Sequence, residues 1–322
     1  MKTLNQMYSG HTGKVTDKWQ LYLSEYERVF KEYRAGPIRL LEIGIQNGGS
    51  LEIWSSYFPQ AEHLVGCDID PNCINLKYED SRISVIVGDA NTSETEKRIL
   101  INSNFFDIIV DDGSHTSSDI IKTFTRYFPL LESGGVFVIE DLHCSYLQEF
   151  GGGLHDPLSS MAFFFQLANT LNYESWGIDK KRKDLFNGFI EKYDVVLTED
   201  ILQSIHSVEF LNSMCFIKKM DKASNNLGPR VVVGRTEAVI QDTLKRNGSF
   251  IHIPSQVYNK WSNTIPMEEL IQLRREIDIA KHEIEVLNAE NIKKSKLITS
   301  IEDSNSWRLT KPLRKIRELF VK

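Results

Sequence analysis

Between Arg39 and Glu140, short apolar runs alternate with stretches whose apolar residues recur at helical spacing. Short apolar runs bounded by turns are typical of buried strands, and the stretches Leu51–Tyr57 and Ser117–Leu131 are compatible with helices. Strands that alternate with helices predict right-handed βαβ units around a buried, mostly parallel sheet, and therefore an α/β, Rossmann-like fold. The predicted strands are Arg39–Gly44, Leu64–Ile69, Ser84–Val87, Asp107–Asp111 and Val136–Glu140.

Further elements flank this region on both sides. Apolar and aromatic residues at helical spacing predict a helix over Thr16–Tyr33, which Thr16 or Asp17 can cap. Downstream, Asn212-Ser213 separates the β-like runs His206–Leu211 and Met214–Lys218, which predicts an antiparallel hairpin.

The pattern changes again near the C-terminus. From Met267 to Asp303, apolar residues recur at alternating spacings of three and four, which predicts a coiled coil and a homo-oligomer. The predicted seam consists of Leu270, Leu273, Ile277, Ala280, Ile284, Leu287, Ile298 and Ile301. A single amphipathic helix folded back on the core would produce much of the same pattern. Ser304–Lys322 combines six basic residues, one acidic residue and an apolar face. Such a segment favours contact with an anionic membrane, with a partner-binding or solvated tail as the alternative. The predicted divisions are 1–35 (N-terminal helical segment), 36–235 (main domain), 236–266 (linker), 267–304 (coiled coil) and 305–322 (basic tail).

Composition narrows the function classes. The net charge of -6 argues against nucleic acid as the main partner, because phosphate binding needs a basic face. Met1–Asn5 is polar and no apolar signal sequence follows, and no apolar run approaches the roughly 20 residues that span a bilayer. The four cysteines form no C-x-x-C pair, so we expect reduced thiols and a cytoplasmic protein. If the tail binds lipid, we expect the protein to lie peripherally at the inner face of the membrane.

A candidate cofactor site follows the first three strands. In the turn after the first strand, Gly44 and Gly48 belong to a G-x-x-x-G-G spacing, which differs from the dinucleotide G-x-G-x-x-G. Glu42 precedes these glycines and Ser50 follows them. An acidic residue there fits the ammonium group of S-adenosylmethionine better than a pyrophosphate. Carboxylates at the carboxyl ends of successive strands suit a nucleoside, with Asp68 on the ribose hydroxyls and Asp89 on the adenine amino group. The predicted cofactor-binding residues are Glu42, Gly44, Gly48, Ser50, Asp68, Gly88, Asp89 and Asp111.

Acid pairs end the next two strands, Asp111-Asp112 on the fourth and Glu140-Asp141 on the fifth. Neighbouring strands lie about 4.8 Å apart, so carboxylates at their ends repel each other unless a cation lies between them. Oxygen ligands with room for water and substrate suit Mg²⁺, which lowers the pKa of a bound hydroxyl. His115 is placed to accept that proton, since imidazole has an ordinary pKa near 6.5. His143 is a competing base, a metal-free Asp112–His115 pair is an alternative, and no third protein ligand is evident.

The sequence resembles class I methyltransferases, whose sheets also end in an antiparallel hairpin. The resemblance lies in Leu41–Phe58, Val65–Pro71, Phe106–His115 and Gly134–Tyr146. Within that class the sequence is similar to the macrocin- and mycinamicin-type sugar O-methyltransferases and to the cephalosporin hydroxylase-like group. The most specific pieces are Asp111–His115 and Ile139–His143. The resemblance implies S-adenosylmethionine as cofactor, Asp112 and Asp141 as metal ligands, and His115 as the base. Ser304–Arg314 also resembles tails of bacterial surface-polysaccharide enzymes.

These observations predict a magnesium-assisted O-methyltransferase that acts on a sugar hydroxyl of a surface polysaccharide or a glycosylated metabolite. Two alternatives stay open. The first is an NAD-type oxidoreductase, and the second is a non-catalytic scaffold that uses a methyltransferase-like domain to assemble partners for polysaccharide synthesis.

Overall fold

A computed structural model describes residues 2–263 and 266–314, and it divides the chain into two compact units, Met1–Ile265 and Pro266–Lys322. The first unit contains the sheet and the candidate site. The second unit is helical. Among the described residues, no helix has the length and apolarity that crossing a bilayer requires.

A seven-stranded sheet organises the first unit in the order β3-β2-β1-β4-β5-β7-β6. The first five strands are parallel, and β7 pairs antiparallel with both β5 and β6. The predicted α/β fold and its closing hairpin are therefore confirmed. The strands are β1 Arg39–Ile43, β2 His63–Asp68, β3 Ile83–Val87, β4 Phe106–Asp111, β5 Leu131–Ile139, β6 Ile205–Leu211 and β7 Met214–Lys219.

Helices cover both faces of the sheet, which is why its central strands are buried on both sides. In α5, Ile120, Phe124 and Tyr127 share one face and pack into one core, while Tyr26 and Phe30 of α2 pack into the other. The helices of this unit are α1 Leu4–Ser9, α2 Gln20–Phe30, α3 Gly49–Tyr57, α4 Ser93–Asn102, α5 Ser117–Tyr127, α6 Ser160–Thr170, α7 Asn187–Tyr193, α8 Glu199–Gln203 and α9 Lys260–Asn263.

The start of α2 differs from the sequence prediction. The helix begins at Gln20, with Trp19 at its N-cap position, and neither Thr16 nor Asp17 caps it. The chain before it is held out of the helix, since the Val15 carbonyl accepts a 3.2 Å hydrogen bond from the Gly49 N–H. This path carries the Lys18 side chain into the interior, where 2% of it is exposed.

The second unit contains α10 Pro266–Asp303 and α11 Asn305–Leu309. All described side chains from 272 to 313 are exposed, including the seam residues Leu273, Ile277, Ile284 and Leu287. The helix is thus observed, whereas its assembly into a coiled coil and the boundaries of the predicted divisions stay predictions. Residues 315–322 of the predicted basic tail, and Leu270 as a packing residue of the seam, lie outside the described residues.

Candidate functional site

A cavity of about 220 Å³ opens at the carboxyl ends of the parallel strands, next to the turn that follows β1. Five of the predicted cofactor-binding residues line it, and Asp112 lines it as well. The five are Gly44, Asp68, Gly88, Asp89 and Asp111. Gly44 is required here, because it has a positive φ of 85° and an added Cβ would lie 2.0 Å from the Asp112 carbonyl oxygen.

The other three predicted cofactor-binding residues, Glu42, Gly48 and Ser50, are not among the residues lining this cavity. Gly48 precedes α3 with a φ of 77° and contacts Tyr78, whose hydroxyl donates to the Gly48 carbonyl at 2.9 Å. Ser50 is buried and donates to the Glu42 carboxylate at 2.7 Å. Glu42 is fully buried, and the ammonium group that it faces is that of Lys18.

Asp68 fixes the turn after β1. Its Oδ2 accepts the N–H groups of Ile45 and Gln46, each at 2.8 Å, and its Oδ1 accepts the Asp70 N–H at 2.9 Å. A carboxylate offers about four acceptor sites, so three are filled and one is left for a ligand. The predicted hydrogen bonds to both ribose hydroxyls would therefore exceed the free capacity of Asp68 unless one backbone bond opened.

Asp111, at the end of β4, is 3% exposed at the base of the cavity. Burial raises the pKa of Asp111 to about 8, against the opposing effect of the Gly113 N–H. This shift favours the neutral carboxyl group. A neutral carboxyl group donates one hydrogen bond and still accepts others, which suits a nucleoside better than a cation.

Lys18, Glu42, Asp112 and Glu140 form a group that we call the Lys18 cluster, in which every side chain except that of Asp112 is buried. The Lys18 Nζ lies 2.7 Å from Glu140 Oε1 and 3.7 Å from Glu42 Oε1, and it donates to Asp112 Oδ2. Burial by itself lowers the pKa of Lys18, but Glu140 and Asp112 outweigh it and hold that pKa well above its usual value. Burial raises the pKa values of Glu42 and Glu140, and Lys18 opposes both rises.

Asp112, His115 and Asp141 form a second group, at the adjacent ends of β4 and β5. One ligand atom of each lies within 4.8 Å of the other two, an arrangement that could hold a metal ion. His115 Nε2 is 3.6 Å from Asp141 Oδ2 and 3.9 Å from Asp112 Oδ1. All three side chains are about one fifth exposed, so both substrate and water can reach them.

Each carboxylate of this group uses one oxygen for support and presents the other to His115. Asp112 Oδ2 accepts from Lys18, which leaves Oδ1 near the imidazole. Asp141 Oδ1 accepts from the Tyr22 hydroxyl at 2.7 Å and from Trp19 Nε1 at 3.1 Å, which leaves Oδ2 near the imidazole. The two free oxygens therefore converge on the atom that sequence analysis predicted to be the base.

The backbone is strained at two of these three positions. His115 has a φ of 58° and Asp141 a φ of 53°, in the left-handed region that residues with a Cβ rarely adopt. Such conformations each cost of order 1–3 kcal/mol and cluster at functional sites. His143, the competing base, lies beyond Asp141, where its Nδ1 contacts Ser213 Oγ at 2.5 Å.

Comparison with known proteins supports a family assignment. Residues 41–142 match a family described as a methyltransferase domain. The chain is 37% identical over 182 residues to the mycinamicin VI 2''-O-methyltransferase of Micromonospora griseorubida, covering 53% of this chain and 44% of that protein. It is 32% identical over 208 residues to the demethylmacrocin O-methyltransferase of Streptomyces fradiae, covering 60% of this chain and 50% of that protein.

A solved structure of a methyltransferase has a similar fold. The MycE methyltransferase from the mycinamycin biosynthetic pathway, in complex with Mg, SAH and mycinamycin VI, superposes with a TM-score of 0.55 at 25% identity. The alignment covers 69% of this chain and 54% of MycE. Residues 41–142 therefore match a methyltransferase domain. It spans about half the length of the curated relatives that it matches.

Three side chains that support the site of the methyltransferase domain were not predicted to do so. Lys18, Trp19 and Tyr22 all precede the matched residues, and each contacts a carboxylate at the end of β4 or β5. Ser213, at the turn of the β6–β7 hairpin, places its Oγ 2.8 Å from the same Tyr22 hydroxyl. One signal was present in the sequence: four acids end β4 and β5, and no basic residue lies in those strand ends to balance them.

Proposed function

We propose that this protein is an S-adenosylmethionine-dependent, magnesium-assisted O-methyltransferase that acts on a sugar hydroxyl. The observation that carries the proposal is the convergence of Asp112 Oδ1 and Asp141 Oδ2 on His115 Nε2, directly beside the cavity at the ends of β1–β4. The relatives named above are O-methyltransferases, and MycE was solved with both Mg and SAH.

The donor set fits magnesium. Two carboxylate oxygens, from Asp112 and Asp141, are hard ligands of the kind that Mg²⁺ prefers, whereas imidazole suits transition metals better. We therefore assign the carboxylates to the ion and His115 to the proton. A bound magnesium ion would lower the pKa of the acceptor hydroxyl and orient its oxygen.

His115 then acts as the general base of the transfer. Its Nε2 takes the proton of the acceptor hydroxyl, and the oxygen lone pair forms a bond to the methyl carbon of S-adenosylmethionine. The carbon–sulfur bond breaks and its electron pair stays on sulfur, which loses its positive charge. Asp112 and Asp141 stabilise the imidazolium that forms, because both lie within 4 Å of Nε2.

The acceptor in this proposal is a surface polysaccharide, its precursor, or a glycosylated metabolite. Trp19 supports a sugar, since its Nε1 is bound to Asp141 while 62% of the residue is exposed beside the reacting groups. Aromatic faces with a few fixed polar groups are a common lining of ligand sites. Labelled S-adenosylmethionine should transfer methyl to a cell-surface glycan extract; transfer to mycinamicin VI alone would assign the macrolide class instead.

Calorimetry tests the cofactor and the ion together. S-adenosylhomocysteine should bind to the purified protein, and Mg²⁺ should bind with an affinity that falls in the Asp112→Asn/Asp141→Asn variant. NADH serves as the control ligand for a dinucleotide enzyme. Binding of NADH in preference to S-adenosylhomocysteine would contradict the proposal, and full methyl transfer in excess EDTA would contradict the role of the ion.

The second unit supports a further part of the proposal, a homo-oligomer through residues 267–304. The exposed seam of α10 is apolar over several turns, and a lone helix of this kind gains stability by burying such a stripe. Ile284→Glu, on the seam, should lower the molar mass measured by light scattering to that of a monomer. Ile279→Glu, equally exposed but off the seam, should leave it unchanged.

We also propose peripheral attachment to the inner face of the membrane through residues 305–322. Trp307, Leu309 and Leu313 are exposed in the described part of this segment, and its local charge is +5. The protein should sediment with vesicles that contain phosphatidylglycerol, and deletion of residues 305–322 should abolish this. Equal sedimentation of both proteins would contradict the attachment.

A further inference from the structure

The Lys18 cluster places one ammonium group among three carboxylates inside the protein. The Lys18 side chain is 2% exposed, and those of Glu42 and Glu140 are 0% and 2% exposed. The carboxylates come from β1 and from the ends of β4 and β5, whereas Lys18 comes from the segment before α2. One side chain therefore joins three neighbouring strands of the sheet to the N-terminal segment.

Other donors hold the carboxylates around Lys18. Tyr26 donates to Glu140 Oε1, while Ser50 and Trp54 donate to Glu42 Oε2 at 2.7 and 3.2 Å. Glu42 Oε1 is buried and has no hydrogen-bond partner within the described part of the chain. An unpartnered buried carboxylate oxygen is costly, so this oxygen depends on the charge of Lys18, which lies 3.7 Å away.

Lys18 shares Asp112 with the proposed ion. Its Nζ donates to Asp112 Oδ2, and the other oxygen of the same carboxylate faces His115. A cation next to a carboxylate satisfies part of its negative charge and repels a second cation at the same group. A magnesium ion that approaches Asp112 therefore meets a carboxylate whose charge is already partly balanced.

From this geometry we infer that Lys18 is a tethered counter-ion of the candidate metal site, which holds Asp112 and Glu140 together and competes with a divalent cation for the Asp112 carboxylate. The inference rests on the proposed function in one respect, the binding of a divalent cation at Asp112. Lys18 is a positioning residue, since it contacts the carboxylates and not the reacting atoms. Its loss should leave a divalent cation as the remaining counter-charge of the Asp112 carboxylate.

Titration calorimetry with MgCl2 alone tests the inference without any acceptor. Lys18→Met should bind Mg²⁺ at least tenfold more tightly than the wild type, and Mg²⁺ should raise its melting temperature more than that of the wild type. Lys14→Met is the matched control, because Lys14 belongs to the same segment but pairs with Glu52 at 2.6 Å, away from the cluster. Its affinity for Mg²⁺ should stay within twofold of the wild type.

A gain in affinity distinguishes this role from a structural one, since mere damage to the site would weaken binding. Equal or weaker Mg²⁺ binding by Lys18→Met overturns the inference while the proposed function stands. Absence of Mg²⁺ binding in every protein overturns both. If Lys18→Met does not fold, the double variant Lys18→Met/Glu140→Gln replaces it, because the double variant removes one buried charge of each sign. Its Mg²⁺ affinity is compared with that of Glu140→Gln. Tighter binding by the double variant supports the inference, and equal or weaker binding overturns it.

Discussion

The ends of β2 and β3 and the ends of β4 and β5 both carry acidic residues, but their surroundings differ. Asp68 and Asp89 are at least partly exposed and accept backbone N–H groups of their own loops. Asp112 and Glu140 share a buried ammonium group, and Asp141 is held by two aromatic side chains. The ends of β2 and β3 thus fix the loops around a ligand cavity, and we call them the loop-shaping half of this edge. The ends of β4 and β5 hold a cluster of carboxylates and an ammonium group, and we call them the charge-holding half.

The largest effect should come from the half that holds charge. His115→Ala should lower kcat for methyl transfer by roughly 10²–10⁴-fold, the range typical of a lost general base. Its affinity for S-adenosylhomocysteine should stay within a few-fold, because the imidazole lies beside the two carboxylates and does not line the cavity. Steady-state kinetics and calorimetry on the same preparation measure both quantities.

His143→Ala is the control for that variant. It removes an imidazole on the other side of Asp141, bonded to Ser213, and should lower kcat far less. If His143→Ala abolishes turnover and His115→Ala does not, the base is His143.

An intermediate effect should come from the half that shapes the loop. Asp68→Ala should weaken S-adenosylhomocysteine binding by roughly 10–100-fold, since hydrogen bonds to a charged group contribute about 1.5–3 kcal/mol each. Asp70→Ala, two residues away and exposed outside the cavity, should bind like the wild type. If calorimetry gives equal S-adenosylhomocysteine affinities for Asp68→Ala and the wild type, Asp68 does not contribute to cofactor binding.

The smallest effect concerns Glu42, which belongs to the charge-holding half although sequence analysis placed it in the cofactor site. Burial raises the pKa of Glu42 from 4.5 to about 7, and Lys18 opposes this rise. The native carboxyl group therefore keeps its proton to higher pH than the unfolded one. The stability that it contributes below pH 4.5 is lost as the pH rises through about 7.

Glu42→Gln should make the free energy of unfolding fall less steeply between pH 5 and pH 8, by at most about 1.4 kcal/mol per pH unit. Urea unfolding in EDTA measures this slope without a bound ion. Glu62→Gln, at an exposed position, should keep the wild-type slope. An unchanged slope in Glu42→Gln would show that its carboxyl group is ionised in the native state throughout this range.

Sequence patterns were sufficient to predict the sheet, because buried parallel strands require continuous apolar runs, as in Ile108–Val110. They also predicted that Asp112 and Asp141 lie close together, since the carboxyl ends of adjacent strands meet at one edge, and the structure places His115 beside them. They did not locate Lys18. A lysine in a polar stretch is normally solvated, and only the tertiary path before α2 shows that this one is buried.

The surroundings of Glu42 were not predicted, for a related reason. Its position before the glycines of the turn suggested a cofactor contact, but alternation along β1 directs its side chain toward Ser50, Trp54 and Lys18. The face toward which a strand residue points depends on the register of the sheet and on what packs against it. Neither is encoded in a motif of ten residues.

The left-handed backbone at His115 and Asp141 implies a trade-off between stability and the proposed chemistry. Glycine adopts that conformation without penalty, so glycine at either position should relieve strain in the backbone. For an engineer, these two positions are where stability should not be sought, because any gain there removes a group on which the proposed chemistry depends.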